Sequence, residues 1–163
     1  MSLLIARGTL DDVAEADVLI REAAEWLIQK GEKLWGPNET SREELERVTR
    51  VGELVVGRVE GELATCMYLH DEDRLFWPQV APGEAFYIHR LAVARRFAGL
   101  GYSHAMLEWA ASEARAKDRP YLRLDCEPRA KLLALYRSAG YSRIDPAPIQ
   151  VGEHFVVRHE KRV

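Results

Sequence analysis

The stretch "VARRFAGLGYSHAML", residues 93–107, joins a strand pattern to a helix pattern through a basic turn that contains Gly99 and Gly101. "AFYIHRLAV" before it is typical of a strand, and "YSHAMLEWAASEARAK" after it is typical of a helix. The first amides of a helix have no partner within the helix and lie at the positive end of its dipole. Because glycine lets the backbone approach a ligand closely, the turn predicts a phosphate site, to which Arg95 and Arg96 add positive charge.

Other interpretations of this turn are open on its residues alone. The two glycines can serve only to make a tight turn between strand and helix. A dinucleotide-binding loop is disfavoured because His104 stands where GxGxxG requires its third glycine. "GYSHA" is close to the GxSxG elbow of serine hydrolases, and acids and histidines follow it at Asp125, Asp145, His154 and His159. Eight residues separate Val93 from Tyr102, however, so Ser103 is expected in the first turn of a helix rather than at a sharp elbow.

The composition is that of an ordinary globular protein. The chain has 163 residues, of which 47% are hydrophobic and 30% charged, and its formal net charge is -3. This length predicts one domain over residues 1–163. The negative charge argues against nucleic-acid and anionic-membrane partners, and no apolar run suggests a membrane span or a signal peptide. Cys66 and Cys126 form neither a disulfide framework nor a zinc motif, which favours a cytoplasmic location.

The hydrophobic periodicity predicts a mixed series of strands and helices. Thr9 with Asp12 and Ser41 with Glu44 are expected to cap the first two helices. The predicted order of β, α, α, β, β, β, α, β, α, β indicates an α/β domain with one central sheet and helices on both faces. Strands are expected at 3–7, in "ELVVGRV" and "ELATCMYL" around Glu60-Gly61, at 85–93, at 120–126 and around "EHFVVRHEK"; helices are expected at 11–30, 42–50, 102–117 and 130–140.

The segment "RLAVARRFAGLGYSHAMLEWA" (90–110) resembles motif A of the GNAT family of N-acetyltransferases: a strand ending in LAV, then (R/Q)xxGx(G/A), then a helix. "YLRLDC" (121–126) is similar to the family's fifth strand, and "LYRSAGY" (135–141) is similar to its YxxxG(F/Y) signature. The resemblance implies the GNAT acyl-CoA N-acyltransferase fold, in which a mixed sheet splays between its fourth and fifth strands.

The same resemblance implies acetyl-coenzyme A (acetyl-CoA) as the acyl donor. Its pantetheine arm would pair, like an added strand, with the backbone of Leu91, Ala92 and Val93. Its pyrophosphate would lie on the backbone amides of the turn, namely Arg96, Phe97, Ala98, Gly99, Leu100, Gly101 and Tyr102.

Two side chains are candidates for the chemistry. Tyr136 lies four residues before Gly140, where the family places the tyrosine that protonates the coenzyme A sulfur; a core aromatic on an amphipathic helix is the alternative. His89 is a candidate general base or water-relay partner, and a buried, hydrogen-bonded histidine is the alternative. Strand alternation puts Tyr87, His89 and Leu91 on one face.

The resemblance also implies roles for further positions. Arg129 stands where many GNAT relatives carry Asn, and it is assigned to the cofactor phosphates, with a solvated side chain as the alternative. Glu84 is a third candidate base. The acceptor pocket is expected to be lined by Trp35, Trp77, Glu84 and Tyr87.

Two eye-catching features are given no chemical role. Cys126 is expected to pack as a small side chain, because direct acyl transfer needs no acyl-enzyme. "HDEDR" (70–74) lacks metal-ligand spacing and is expected to be a solvated loop, so no metal is expected.

The resemblance, together with these residues, implies an N-acetyltransferase that moves an acetyl group from acetyl-CoA to a primary amine by direct attack in a ternary complex. Free lysine-like amines have a pKa of about 10.4, so a base is needed to supply the neutral nucleophile. A non-catalytic acyl-CoA-binding sensor is the alternative from another class, and a serine hydrolase is more remote. The expected partners are acetyl-CoA and a small-molecule amine, with a homodimer left open.

Overall fold

The hairpin expected around Glu60-Gly61 is present in the computed structural model of the chain, which describes residues 2–32 and 35–163. Strands β1 (Leu3–Arg7), β2 (Leu54–Val59) and β3 (Glu62–His70) pair antiparallel in that order. Glu60 and Gly61 have φ values of 52° and 86°, as a type I′ turn requires. Two positive φ angles match the twist of the flanking strands, which is why this dipeptide makes the turn.

The chain divides into two compact units. The first consists of Met1–Tyr68 and Arg90–Met106, and the second of Leu69–His89 and Leu107–Val163. Strands β3 and β4 (Ala85–Val93) and the helix α3 (Tyr102–Ala116) contribute residues to both units. The single domain expected over 1–163 stays a prediction.

The first unit carries the strand order β1-β2-β3-β4 and two helices, α1 (Val13–Gln29) and α2 (Arg42–Arg50). The predicted caps form, since the Thr9 amide donates to Asp12 Oδ2 at 2.7 Å and the Glu44 amide donates to Ser41 Oγ at 3.2 Å. A single turn of 3-10 helix at Leu10–Asp12 precedes α1, which therefore begins two residues later than predicted. The unit's core includes Ala16, Ile20, Leu45, Val48, Leu54, Ala64 and Phe97.

The second unit contains a mixed sheet. β4 pairs parallel with β5 (Tyr121–Cys126), and β5 pairs antiparallel with a long C-terminal strand at His154–Arg162. That last strand, β8, also pairs with two short strands that periodicity does not predict, β6 (Ser142–Arg143) and β7 (Ile149–Val151). Helices α3 and α4 (Ala130–Ser138) match the predicted ones within two residues. The mixed sheet and helices confirm the predicted α/β class.

The pairing between β4 and β5 is short, as the predicted splay requires. It runs from Ala85 opposite Tyr121 to Ile88 opposite Leu124, although β4 continues to Val93 and β5 to Cys126.

A backbone irregularity interrupts β4. Arg90 has a φ of 52°, which is rare for a residue with a side chain and marks a break in the extended conformation. The expectation that Leu91 shares a face with Tyr87 and His89 stays a prediction. Arg90 Nε donates to the Glu39 carbonyl at 3.0 Å, which holds the irregular residue in place.

Within the described ranges, none of the helices is long and apolar enough to cross a membrane.

Candidate active site

The turn between β4 and α3 has the conformation that its glycines predict. Arg95–Phe97 form one turn of 3-10 helix, and Gly99 and Gly101 both have a φ of 81°. A Cβ atom placed on either glycine meets no described atom within 4 Å. Both positions therefore combine a backbone that disfavours side chains with open space for a ligand.

The backbone amides of this turn fall into two groups. The Phe97 amide donates to the Ala94 carbonyl at 2.8 Å, and the Ala98 amide donates to the Arg95 carbonyl at 3.1 Å. These two amides, expected to contact pyrophosphate, are engaged in the turn itself. The amides that begin α3 at Tyr102 have no partner within the helix by geometry, so an anion would find its donors at this end of the turn.

The aromatic side chains of the turn pack in the core, and its arginines give it positive charge. Phe97 and Tyr102 are buried with ring centroids 6.0 Å apart, so both side chains pack rather than contact a ligand. The Arg95 guanidinium stacks on the Trp26 ring at 3.9 Å. Arg96 forms an ion pair with Glu62, and both side chains are more than half exposed. Because an exposed ion pair contributes little to stability, an anionic ligand can take the place of Glu62 at little cost.

The end of β4 directs alternate backbone groups to different edges. The Ala92 carbonyl accepts from the Thr65 hydroxyl at 2.7 Å, and the Ala94 amide donates to the Ala64 carbonyl at 2.9 Å. Successive residues of a strand point their N–H and C=O groups to opposite edges. Leu91 and Val93 therefore point theirs away from β3, as binding of an extended pantetheine arm would need, whereas the Ala92 carbonyl is already engaged.

His89 lies between two carboxylates in the second unit. Its Nε2 is 2.9 Å from Asp73 Oδ2, and its Nδ1 is 3.9 Å from Asp125 Oδ1. The three side chains are at most 16% exposed. The expectation of a wholly solvated 70–74 loop is wrong at Asp73, because this side chain folds inward onto His89.

The ionisation of Asp73 follows from this contact. Burial raises the pKa of its carboxyl, but the hydrogen bond and charge of His89 and the Phe76 amide lower it more, so the net pKa lies below the usual value. Asp73, His89 and Asp125 each offer one donor atom within 4.8 Å of the others. The expectation that no metal binds at these residues stays a prediction.

Tyr136 lies on α4 in a buried aromatic group. Its ring centroid is 5.9 Å from that of Tyr141 and 5.8 Å from that of His159. Burial raises the pKa of the Tyr136 hydroxyl well above its usual value, so the group holds its proton throughout the physiological range. Gly140, with a φ of 87°, ends the helix, and the Tyr141 amide donates to the Tyr136 carbonyl at 3.0 Å.

Three of the four residues predicted to line an acceptor pocket belong to one polar and aromatic cluster in the second unit. Arg123 donates to Glu84 at 3.0 Å and to the Tyr87 hydroxyl at 3.3 Å, and its guanidinium lies 5.0 Å from the Trp77 ring centroid. Tyr87 is 2% exposed and Trp77 is 5% exposed. Packing around Arg123 is the role that these contacts support, and an acceptor-binding role for Glu84, Tyr87 and Trp77 stays a prediction, as does the role of Glu84 as a base.

Two further residues predicted to contact a ligand, Trp35 and Arg129, do not belong to the cluster around Arg123. Trp35 is half-buried in the first unit, with the Arg90 guanidinium 5.5 Å from its ring centroid. Arg129 in the second unit forms an ion pair with Glu127 at 2.7 Å. It lines a groove of about 380 Å³, together with Glu127, Pro128, Glu153, His154 and Phe155.

Two residues that the hydrolase interpretation requires, Asp145 and His159, form other contacts in the structure. Asp145 forms an ion pair with Arg158 at 2.8 Å and also accepts from the Arg158 amide. His159 contacts the Val157 carbonyl through Nδ1, and burial lowers the pKa of its ring.

Cys126 is a separate candidate nucleophile. Burial raises the pKa of its thiol to about 12, which removes the thiolate needed for nucleophilic attack.

The fold and the glycine turn define an α/β acyltransferase, and comparison with known proteins defines its family. The acetyltransferase (GNAT) family matches residues 20–141, so the chain belongs to this family. It is 31% identical over 139 residues to the uncharacterized N-acetyltransferase YesJ of Bacillus subtilis (strain 168), covering 80% of this chain and 77% of YesJ.

Solved structures share the fold. A GNAT-family acetyltransferase from Listeria monocytogenes 4b F2365 superposes with a TM-score of 0.83 at 23% identity, covering 99% of this chain and 95% of that one. The PaiA N-acetyltransferase from Thermoplasma acidophilum, solved in complex with coenzyme A, superposes with a TM-score of 0.77 at 15% identity, covering all of both chains. At these identities the likeness concerns the fold, which is that of the GNAT acetyltransferases.

Proposed function

We propose that this acetyltransferase moves the acetyl group of acetyl-CoA to the nitrogen of a small primary amine by direct attack. The observation that carries the proposal is the hydrogen bond between His89 and Asp73, because acyl transfer to an amine needs a held base and a mere sensor of acyl-CoA does not. Membership of the GNAT family and the coenzyme A complex of the PaiA relative support the choice of donor.

Backbone groups of the glycine turn and of the end of β4 bind the donor. The pyrophosphate accepts from the amides of Gly99 to Tyr102 at the start of α3, and Arg96 supplies positive charge. The pantetheine arm pairs with the outward backbone groups of Leu91 and Val93. The residues present fit the group, since the glycines leave open space where phosphate oxygens must approach the backbone.

Two side chains, His89 and Tyr136, transfer the protons. His89 takes a proton from the acceptor amine as the nitrogen attacks the thioester carbon. The carbon–sulfur bond breaks with its electron pair on sulfur, and the Tyr136 hydroxyl gives its proton to that sulfur. Burial keeps the Tyr136 hydroxyl protonated before the reaction begins. The assignment is supported by its position four residues before Gly140, which matches the tyrosine of the family signature.

A screen of primary amines tests the proposal. The protein is incubated with acetyl-CoA and each amine, thiol release is followed, and the acetylated amine is identified by mass. We expect release only with an acceptor, in equal amounts with acetylated product and with no acetyl-enzyme. Tight binding of acetyl-CoA without turnover on any amine would favour the sensor, whereas amine-independent release with an acetyl-enzyme would favour a hydrolase.

A further inference from the structure

We propose that Asp73 is a positioning residue that fixes the ring of His89 and so makes its Nδ1 atom the base. The inference rests on the proposed function, in which His89 accepts the proton of the acceptor amine. Asp73 precedes His89 by sixteen residues and lies in the segment that follows β3. All the contacts that carry the inference lie within the second unit.

Asp73 is itself held in one orientation. Its Oδ1 accepts from the Phe76 amide at 3.0 Å, while its Oδ2 contacts His89 Nε2 at 2.9 Å. Its own carbonyl accepts from the Trp77 amide at 3.0 Å. With 7% of the side chain exposed, the carboxylate is fixed by the turn on one side and fixes the imidazole on the other.

The ionisation of Asp73 decides which ring nitrogen carries the proton. A carboxylate can only accept hydrogen bonds. Because the pKa of Asp73 lies below its usual value, the group is ionised at neutral pH, and Nε2 must be the donor in the contact. A neutral His89 then keeps its lone pair on Nδ1, which is the atom that can take a proton.

The groups around His89 suit a ring that gains a proton. Asp73 and Asp125 face its two nitrogens at 2.9 and 3.9 Å, and the ring centroids of His70 and Phe76 lie 5.2 and 6.3 Å away. When the amine attacks the thioester, a carbon–nitrogen bond forms and the amine proton moves to Nδ1. The sulfur leaves with the electron pair and receives its proton from Tyr136, so amine and thioester become amide and thiol. Two carboxylates then flank the imidazolium and stabilise it.

The test compares Asp73→Asn, Asp73→Glu and His89→Gln on an acceptor found in the screen. Asparagine keeps the oxygen for the Phe76 amide but removes the charge and lets an N–H face Nε2. We expect kcat to fall by about 10²-fold, because the ring is no longer held in its reactive tautomer. The acidic limb of the pH–kcat profile should move to lower pH, because a neighbouring negative charge is gone. Glutamate keeps the charge and should restore the position of that limb.

Asp145→Asn is the matched control, because Asp145 is another buried carboxylate that holds a backbone amide, in a separate ion pair. We expect it to lower the melting temperature without moving the pH limb. If His89→Gln is impaired but Asp73→Asn keeps the wild-type kcat and pH limb, the positioning role of Asp73 is wrong and the base role of His89 is retained. If His89→Gln has full activity, the proposed base itself is wrong. Activity that is lost on dialysis against a chelator and restored by Zn²⁺ would overturn the relay in favour of a metal.

Discussion

The turn at 95–102 and the cluster around His89 are built by opposite means. The turn uses backbone: two glycines with a φ of 81° and open space around them present the start of α3. The cluster uses side chains: His89, Asp73 and Asp125 are at most 16% exposed and hold one another within a few ångströms. The turn therefore suits the binding of an anion, and the cluster suits the transfer of a proton.

The difference follows from what each task requires. A phosphate carries several acceptor oxygens, and unsatisfied backbone donors at a helix start meet them whatever the nearby side chains are. Proton transfer needs a titratable atom in one tautomer and one orientation, which only a fixed partner supplies. Substitutions in the turn should therefore change donor affinity, and substitutions in the cluster should change turnover.

The largest expected effect is that of His89→Gln. Glutamine can still donate to Asp73 but has no atom that takes a proton from an amine, so kcat should fall by about 10²–10⁴-fold. Acetyl-CoA affinity, measured by calorimetry, should stay at the wild-type value. If His89→Gln instead lost acetyl-CoA affinity and kept its kcat, the separate roles assigned to the turn and to the cluster would be contradicted.

Gly101→Val should lower acetyl-CoA affinity rather than kcat, and its effect should be smaller than that of His89→Gln. Valine at a φ of 81° is strained and places methyl groups where phosphate must approach the amides, so acetyl-CoA affinity should fall by about tenfold or more. Gly83→Val is the control, because Gly83 has a φ of 78° and open space but lies outside the turn. Calorimetry that gives both variants wild-type affinity would exclude the turn as the phosphate site.

The smallest effect is expected for Cys126→Ala. Burial raises the pKa of this thiol to about 12, so no thiolate is present near neutral pH and turnover should stay within about twofold of wild type. Rapid-quench measurements should detect no burst of acetyl-enzyme. A burst that the substitution abolishes, in a variant that folds normally, would show a covalent route.

The two regions also differ in how far the sequence predicts them. Gly99, Gly101 and the helix that follows are local features, so periodicity and glycine spacing place the turn correctly. Asp73 has no local signal: it stands in an acidic loop, and only the path of that loop brings it to His89.

Other differences have equally physical causes. β6 and β7 are two and three residues long, which is too short for a period to be recognised. Arg90 has a positive φ although it is not a glycine, so the sequence pattern does not predict this backbone irregularity. Trp77 lies in a loop, yet its ring is buried, with the Arg123 and Arg158 guanidinium groups 5.0 and 5.1 Å from its centroid. Its acceptor-binding role stays a prediction.

The most direct measurement of the central claim, that this protein is an enzyme with an acid on α4, is the turnover of Tyr136→Phe with two acyl donors. Phenylalanine keeps the ring that packs on Tyr141 and His159 but has no proton to give. With acetyl-CoA we expect kcat to fall by about 10²-fold at unchanged donor affinity, because the thiolate leaving group, with a pKa of about 8.5, is helped by protonation rather than dependent on it. With an activated acetyl ester whose leaving group is already a stable anion, the defect should shrink towards none. Wild-type turnover of the variant with acetyl-CoA, or an equal loss with both donors, would contradict the acid role of Tyr136.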